Sequence, residues 1–349
     1  FYYVPFVHRC KKIEMKLERG KDLLYLSQQQ IVDLNITMEQ MIDLMEKMYT
    51  EKSKGNTQMP SKIALHTVKE FPGDFVHTMP AYISSMNCAG VKIVSGYENA
   101  RKLGYPYISG LYMLTDVETG IPLAIMDCVW MTTVRTGAVT GLTAKVLANP
   151  DSEIVGLIGT GVQGRIQVHG LMAVMKNIKT IKVFDQSKEA VEAYIKEMSE
   201  IYPEVNFEVV DKREDAVIGC DLLLSCVPCS VEPGIEFITG DMIKEGCTAL
   251  PVDDLVLFKP ETCSEGTFAK AFTDDQGQFK GFKDMGFFRT FKEIPFELGD
   301  AVTGKVPGRT SHEEKILTVN IGTGLADVAT AKLLYDIALE KDLGTVLPL

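Results

Sequence analysis

The stretch Ile154-Val-Gly-Leu-Ile-Gly-Thr-Gly-Val-Gln-Gly164 decides the reading of this chain. An apolar run enters Gly159-x-Gly161-x-x-Gly164, and a helix-like segment, Gln163–Asn177, follows. Strand, turn and helix in this order build a dinucleotide-binding crevice. The first glycine permits the tight turn, the second lets the backbone approach a pyrophosphate, and the third lets helix and strand pack closely. The helix N-terminus then offers unpaired N–H groups and a favourable dipole to the phosphates. A second apolar run, Thr180-Ile-Lys-Val-Phe184, ends in Asp185, 21 residues after Gly164. A carboxylate there accepts hydrogen bonds from both ribose hydroxyls of NAD and repels the extra phosphate of NADP. The expected cofactor is NAD, held by Gly159, Thr160, Gly161, Val162, Gln163 and Gly164 at the turn and by Asp185 and Gln186 at the ribose. Ser225, Val227 and Gly322, near the ends of later apolar runs, complete the expected cofactor surface.

Around this turn, strands alternate with helices. Ile154–Ile158, Ile181–Asp185, Asn206–Val210, Asp221–Cys226 and Thr248–Val252 are the expected strands, and helices are expected to fill the gaps, with Ser187–Ile201 the clearest after Gln163–Asn177. That alternation predicts an α/β fold with a parallel, doubly wound Rossmann sheet. The earlier chain has a different pattern. Ser27-x-x-Gln30 and Thr37-x-x-Gln40 fit capping boxes, and Met38, Met41, Ile42, Met45 and Tyr49 recur at helical spacing as a core face. Phe75–Met79, Ala89–Val94, Gly110–Thr115 and Pro122–Met126 read as strands with short connections, hence an antiparallel meander. Val129–Ala148 reads as a long bridging helix, and Asp327–Glu340 as a final amphipathic one. The expected organisation is an extension at 1–24, a discontinuous α+β substrate and dimerisation domain at 25–135 and 312–349, and a Rossmann domain at 136–311.

Composition narrows the partners. A net charge of −11 over 349 residues argues against nucleic acid or an anionic membrane, and no apolar run reaches the length of a membrane span. The charged stretch Phe1–Lys21 lacks the apolar core of a secretion signal. Eight irregularly spaced cysteines in a long chain suit reduced thiols and a cytoplasmic setting. Cys226-Val-Pro-Cys229 has no second CxxC to complete a zinc site, so no metal is expected.

From about Tyr25 onward the chain resembles the ornithine cyclodeaminase/mu-crystallin family. The resemblance lies in Gln58-Met-Pro-Ser-Lys62, Met79-Pro-Ala-Tyr82 with Gly90-Val-Lys92, Thr119-Gly-Ile-Pro-Leu-Ala124, Thr133-Val-Arg-Thr-Gly137 and the glycine turn, in the family's order. It implies a dimer built through the first domain. It also implies hydride exchange between a nicotinamide and the α-carbon of an amino acid or its imine. Lys62, Lys92 and Arg135 would clamp the substrate carboxylate, Arg135 by a planar two-point contact, and Lys92 would also lie near the reacting centre as a catalytic residue. Thr136 would meet a cofactor phosphate. The family's catalytic carboxylate follows the fifth Rossmann strand; in Cys247-Thr-Ala-Leu-Pro-Val-Asp253-Asp254 the expected glycine is missing, so Asp254 is preferred and Asp253 is the alternative. His77 stands where ornithine-specific members carry a glutamate, so it should meet the substrate side chain. Lys62 matches the alanine dehydrogenase type. The segment Val319–Asp327 departs from the usual form. An amino-acid dehydrogenase or imine reductase is the expected activity. A cyclodeaminase and a non-catalytic NAD(H)-binding protein, such as a tyramine oxidase subunit, are the alternatives.

Overall fold

A computed structural model describes residues 16–67, 74–228, 235–264, 266–288 and 293–349. The first strand is β1 (Asp22–Leu26), followed by α1 (Gln28–Asp33) and α2 (Met38–Ser53). Both helices begin in capping boxes. Ser27 and Thr37 accept the N–H of Gln30 and Gln40, whose amide oxygens accept the cap N–H in return. Two donors that a helix cannot satisfy internally are thereby paired at each start. Met41, Ile42, Met45 and Tyr49 are buried along one face of α2, and burying each such side chain contributes about 1.5–3 kcal/mol. Asp22, Leu23 and Leu24 fall in the stretch expected to be an extension. They form strand instead because Leu23 and Leu24 are buried in the sheet.

Next come β2 (Thr57–Gln58), β3 (Ile63–His66), β4 (Phe75–Ile83), β5 (Cys88–Gly96), α3 (Glu98–Lys102), β6 (Ile108–Thr115) and β7 (Pro122–Asp127). Strands β4 to β7 pair antiparallel in sequence order, the expected meander. Strands β2 and β3 both pair with β4, and β1 lies parallel to β7. Residues of one parity, among them His77, Met79, Lys92, Val94 and Tyr112, face the inner side where the helices pack.

The bridging helix α4 (Val129–Leu147) leads into the second layer. It holds β8 (Ile154–Ile158), α5 (Val162–Val174), β9 (Thr180–Phe184), α6 (Lys188–Ile201), β10 (Asn206–Val209), β11 (Leu222–Ser225), β12 (Thr248–Ala249), α7 (Pro260–Ser264), β13 (Lys270–Thr273), α8 (Gln276–Asp284), β14 (Phe296–Glu297), α9 (Leu298–Val302) and β15 (Ile316–Val319). The order β10-β9-β8-β11-β12-β15-β13-β14 is parallel throughout. The winding reverses between β8 and β11, and such a switch point opens a crevice at the strands' carboxyl ends. Strand β15 falls within 312–349, the stretch expected in the first domain, yet it lies between β12 and β13 of this sheet.

Two expectations are corrected here. The connection from β10 to β11 holds turns and no helix; it lies so close to β8 that a Cβ on Gly156 would stand 1.9 Å from the Ala216 carbonyl oxygen. Strand β12 is shorter than Thr248–Val252 because Pro251 has no N–H to give β15. Leu250 and Val252 still donate to Leu223 and Ser225 of β11.

The last elements, α10 (Gly324–Glu340) and β16 (Thr345–Pro348), return to the first layer, where β16 pairs antiparallel with β1. Helix α10 is buried on every side from Gly324 to Ala331, so its first half is a core helix and not the expected amphipathic one. Helices α4 and α5 cross with their backbones in contact. A Cβ on Gly170 would stand 2.0 Å from the Gly137 carbonyl oxygen, and one on Gly141 2.6 Å from that of Gly170.

Candidate active site

At the switch point Gly159 adopts φ +97°, and a Cβ there would strike the Cys226 carbonyl oxygen at 2.6 Å. A Cβ on Gly164 would stand 2.1 Å from the Gly159 oxygen. Glycine is required at both, one for backbone conformation and one for close approach. Gly161 differs, since among the described residues a Cβ there would meet no atom within 4 Å. It caps the 13-residue helix α5 without any side-chain hydrogen bond, and Val162 beside it is 64% exposed. Uncapped N–H groups, open space and an exposed valine fit a dinucleotide pyrophosphate. Gln163 accepts a hydrogen bond from Gln167 on the same helix. Asp185 accepts the N–H and hydroxyl of Thr160 at 2.7 and 2.9 Å through one oxygen and the Ser187 N–H at 3.0 Å through the other. Its charge is thus fixed beside the turn, with Gln186 exposed next to it. The Thr136 hydroxyl donates to the Thr132 carbonyl at 2.6 Å, so in this rotamer it presents a lone pair, not a proton, to its surroundings.

Across the crevice the two aspartates divide. Asp253 is buried and accepts the Ser225 hydroxyl at 3.0 Å and the Val227 N–H at 3.4 Å. Burial pushes its carboxyl up to about 7, against the hydrogen bonds. Asp254 and Leu255 both have left-handed backbones, φ +56° and +65°. Asparagine and aspartate tolerate that region, but leucine does not, and such strain costs about 1–3 kcal/mol per residue. The Asp254 carboxylate lies near enough to Lys62 to raise that lysine's proton affinity.

Three cations gather opposite. Lys62 comes from the segment before β3. Its Nζ donates to the Ile321 carbonyl at 3.0 Å and sits 4.5 Å from the centre of the Phe282 ring. Burial pulls Lys62 down to about 8, with Arg135 and Lys92 acting in the same sense. Lys92, on β5, is 1% exposed, and Arg135, on α4, is 7% exposed. The guanidinium of Arg135 lies against Gly322, where a Cβ would stand 2.7 Å from Nη1. At Gly322 the left-handed backbone (φ +87°) favours glycine, and the arginine packs on the space that a side chain would fill. His77, on β4, stacks on Phe75 with ring centres 4.2 Å apart. Burial and then Lys62 pull its imidazole down to about 3, so it is neutral at any working pH.

Sequence reasoning missed the anion at the centre of this cluster. Asp327, in the first turn of α10, is fully buried. One oxygen lies 2.7 Å from Lys92 Nζ and the other 3.1 Å from Arg135 Nε. Gln278 and Asp274 were missed too. Gln278 accepts the Lys62 N–H and donates to the Gly322 carbonyl, and Asp274 accepts the Gly322 N–H at 2.6 Å. The only sequence signal was the departure of Val319–Asp327 from the expected form, and that segment supplies Ile321, Gly322 and Asp327. Cys229 lies outside the described residues, so the CxxC is not described as a pair.

The sequence model of the ornithine cyclodeaminase/mu-crystallin family matches residues 24–342. An alanine dehydrogenase of Archaeoglobus fulgidus is 28% identical over 338 residues, 93% of this chain and 98% of its own. The solved structure of Thermococcus litoralis Delta(1)-pyrroline-2-carboxylate reductase with NADH and L-proline superposes with a TM-score of 0.80 at 28% identity, covering 93% of this chain and 99% of that one. An archaeal alanine dehydrogenase dimer with bound NAD gives 0.78 at 27% identity, with the same coverage. The match spans both layers and the crevice between them: this chain belongs to the ornithine cyclodeaminase/mu-crystallin family.

Proposed function

We propose that this chain is an NAD(H)-dependent oxidoreductase that interconverts an amino acid with its imino acid. The observation that carries this reading is the convergence of Lys62, Lys92, Arg135 and Asp254 beside the glycine turn. Packing and hydrogen bonds tie the turn to the aspartates, since Gly159 packs on Cys226 and its neighbours Ser225 and Val227 hold Asp253, and the charge of Asp254 reaches Lys62. Relatives that reduce pyrroline-2-carboxylate or oxidise alanine support the same chemistry. Bound NAD(H) supplies a hydride acceptor or donor. Arg135 and the lysines hold the α-carboxylate and so fix the adjacent α-carbon. Asp254 takes the proton of the amine in one direction and gives it to the imine nitrogen in the other. His77, neutral and stacked on Phe75, offers no charge to a distal ammonium, which argues against diamino acids.

The test is a panel of amino acids with NAD⁺, and of 2-oxo acids with amines and NADH, followed by NADH absorbance. Net change is expected with NAD(H) and much less with NADP(H); a cyclodeaminase would show none. Asp185→Ser should narrow the cofactor preference, since it removes the charge held beside the turn. Equal or better use of NADPH by the unaltered protein would contradict this assignment.

We further propose that a second copy covers the outer face of the first sheet. Register places Ile63, Ile93 and Leu111 in one lateral row, with Leu65 and Met113 in the flanking rows, and all five are exposed. Contiguous apolar surface of this kind marks an interface. Sedimentation at micromolar concentration should give a dimer, and Ile93→Glu combined with Leu111→Glu a monomer. A monomeric parent chain would refute this.

A further inference from the structure

We propose that Asp327 is the positioning residue of the carboxylate clamp, holding Lys92 and Arg135 in a single geometry. The inference rests on the reading of these cations as the substrate's carboxylate site. The three side chains come from α10, β5 and α4, and all are buried. Asp327 accepts Arg135 through Nε, the inner nitrogen of the guanidinium. An arginine held by that nitrogen has its rotation about the last side-chain bond fixed. Asp327 also sets the charge. Its carboxylate offsets one of the two cations that it touches, Lys92 and Arg135. A buried ammonium without a partner is costly and sheds its proton.

Lys92 is the group on which this acts. It faces Asp327 from α10, Arg135, Cys128 and Thr132 at α4, His77 from β4, Tyr112 from β6, and Lys62. Of these only Asp327 carries a firm negative charge, since burial pushes the Cys128 thiol up to about 12 and holds the Tyr112 phenol well above its ordinary range. Burial draws the proton affinity of Lys92 down, and Asp327 opposes this.

The experiment measures pyruvate binding to the protein–NADH complex by calorimetry from pH 6 to 10, with no turnover needed. Pyruvate is a monocarboxylate small enough to reach the clamp whatever side chain the substrate carries. In the parent chain, affinity should fall on the alkaline side as the lysines lose their protons. In Asp327→Asn that fall should move to lower pH by about 1–3 units, the size of an opposite charge at contact. The same alkaline limb in both proteins would overturn the proposal, as would the absence of pyruvate binding to the parent at every pH. If Asp327→Asn does not fold, Asp327→Glu carries the test. It keeps the charge but displaces it by one methylene, so the limb should stay while affinity falls at least tenfold; parental affinity would overturn the proposal. A shifted limb in a protein that turns over no member of the amine panel would leave Asp327's role standing and sink the proposed reaction instead.

Discussion

Asp254→Asn should lower turnover by about 10²–10⁴-fold, the usual contribution of a positioned acid–base group, with NADH affinity unchanged. Asparagine keeps the shape of the side chain and tolerates the left-handed backbone at this position. It cannot exchange the proton. NADH affinity is the control, because the turn proposed to bind the cofactor lies between β8 and α5, in a different segment from Asp254. Asp253→Asn should behave differently. Burial holds that carboxyl's proton up to about pH 7. An asparagine amide resembles the neutral acid and can still bond Ser225 and Val227. Turnover of Asp253→Asn should therefore stay near the parent's below pH 7 and diverge only above it, where the native carboxyl ionises beside Asp254. The reverse outcome, with Asp253→Asn inactive and Asp254→Asn active, would move the proton transfer one residue back and keep the mechanism. Activity in both variants would remove the assigned acid.

Lys92→Ala should be the most damaging change in the clamp. It removes a substrate contact and leaves Asp327 with Arg135 alone. Breaking a buried pair by deleting one partner costs about 3–5 kcal/mol, so a lower Tm should accompany the loss of activity. Arg135→Lys keeps the charge and loses the fork, and a charge-assisted hydrogen bond is worth about 1.5–3 kcal/mol. The expected result is a rise in substrate KM of about 10–100-fold with NADH Kd little changed. Lys62 gives the clamp a pH dependence of definite sign. Its ammonium, pulled down to about 8, loses its charge as pH rises through that value, so KM should climb above pH 8. In Lys62→Arg the charge persists and the climb should vanish. Parental KM in both Lys92→Ala and Arg135→Lys would place the substrate elsewhere.

The sequence was most legible where one short stretch determines its own geometry. The glycine turn, Asp185 at the end of β9, the two capping boxes and the period-two runs of β4 to β7 all belong to this class. Legibility failed where distant chain meets. Strands β1 and β16 are short and lie beside charged residues, and their pairing joins the two ends of the described chain. Strand β12 is cut short by Pro251, and the β10–β11 connection is set by its packing on Gly156. The cations of the site were visible as Lys62, Lys92 and Arg135, because motifs carried them. Their counter-charge was not, because Asp327 stands 192 residues from Arg135 and reads locally as an acid in a helix's first turn. The sequence offered two adjacent aspartates after β12, with Asp254 preferred on the family's pattern and Asp253 the alternative; the positive φ of Asp254 and the hydrogen bonds of Asp253 distinguish their surroundings.

The crossing of α4 and α5 has a bearing on how substrate range can change. Arg135 lies just before Gly137 on one helix, and Gly161 starts the other. With Gly137, Gly141 and Gly170 in backbone contact, there is no slack between the helix that carries Arg135 and the helix that begins at the glycine turn, the proposed carboxylate clamp and phosphate cradle. On the proposed reading, the interval from the substrate's α-carbon to the cofactor is thereby a fixed gauge of the scaffold. His77, proposed to meet the variable part of a substrate, and Phe75, stacked on it, sit on strand β4 and not on the crossing helices. Specificity can drift at the strand while the gauge stays constant, and a single framework can serve substrates that share only a carboxylate and a nitrogen on one carbon.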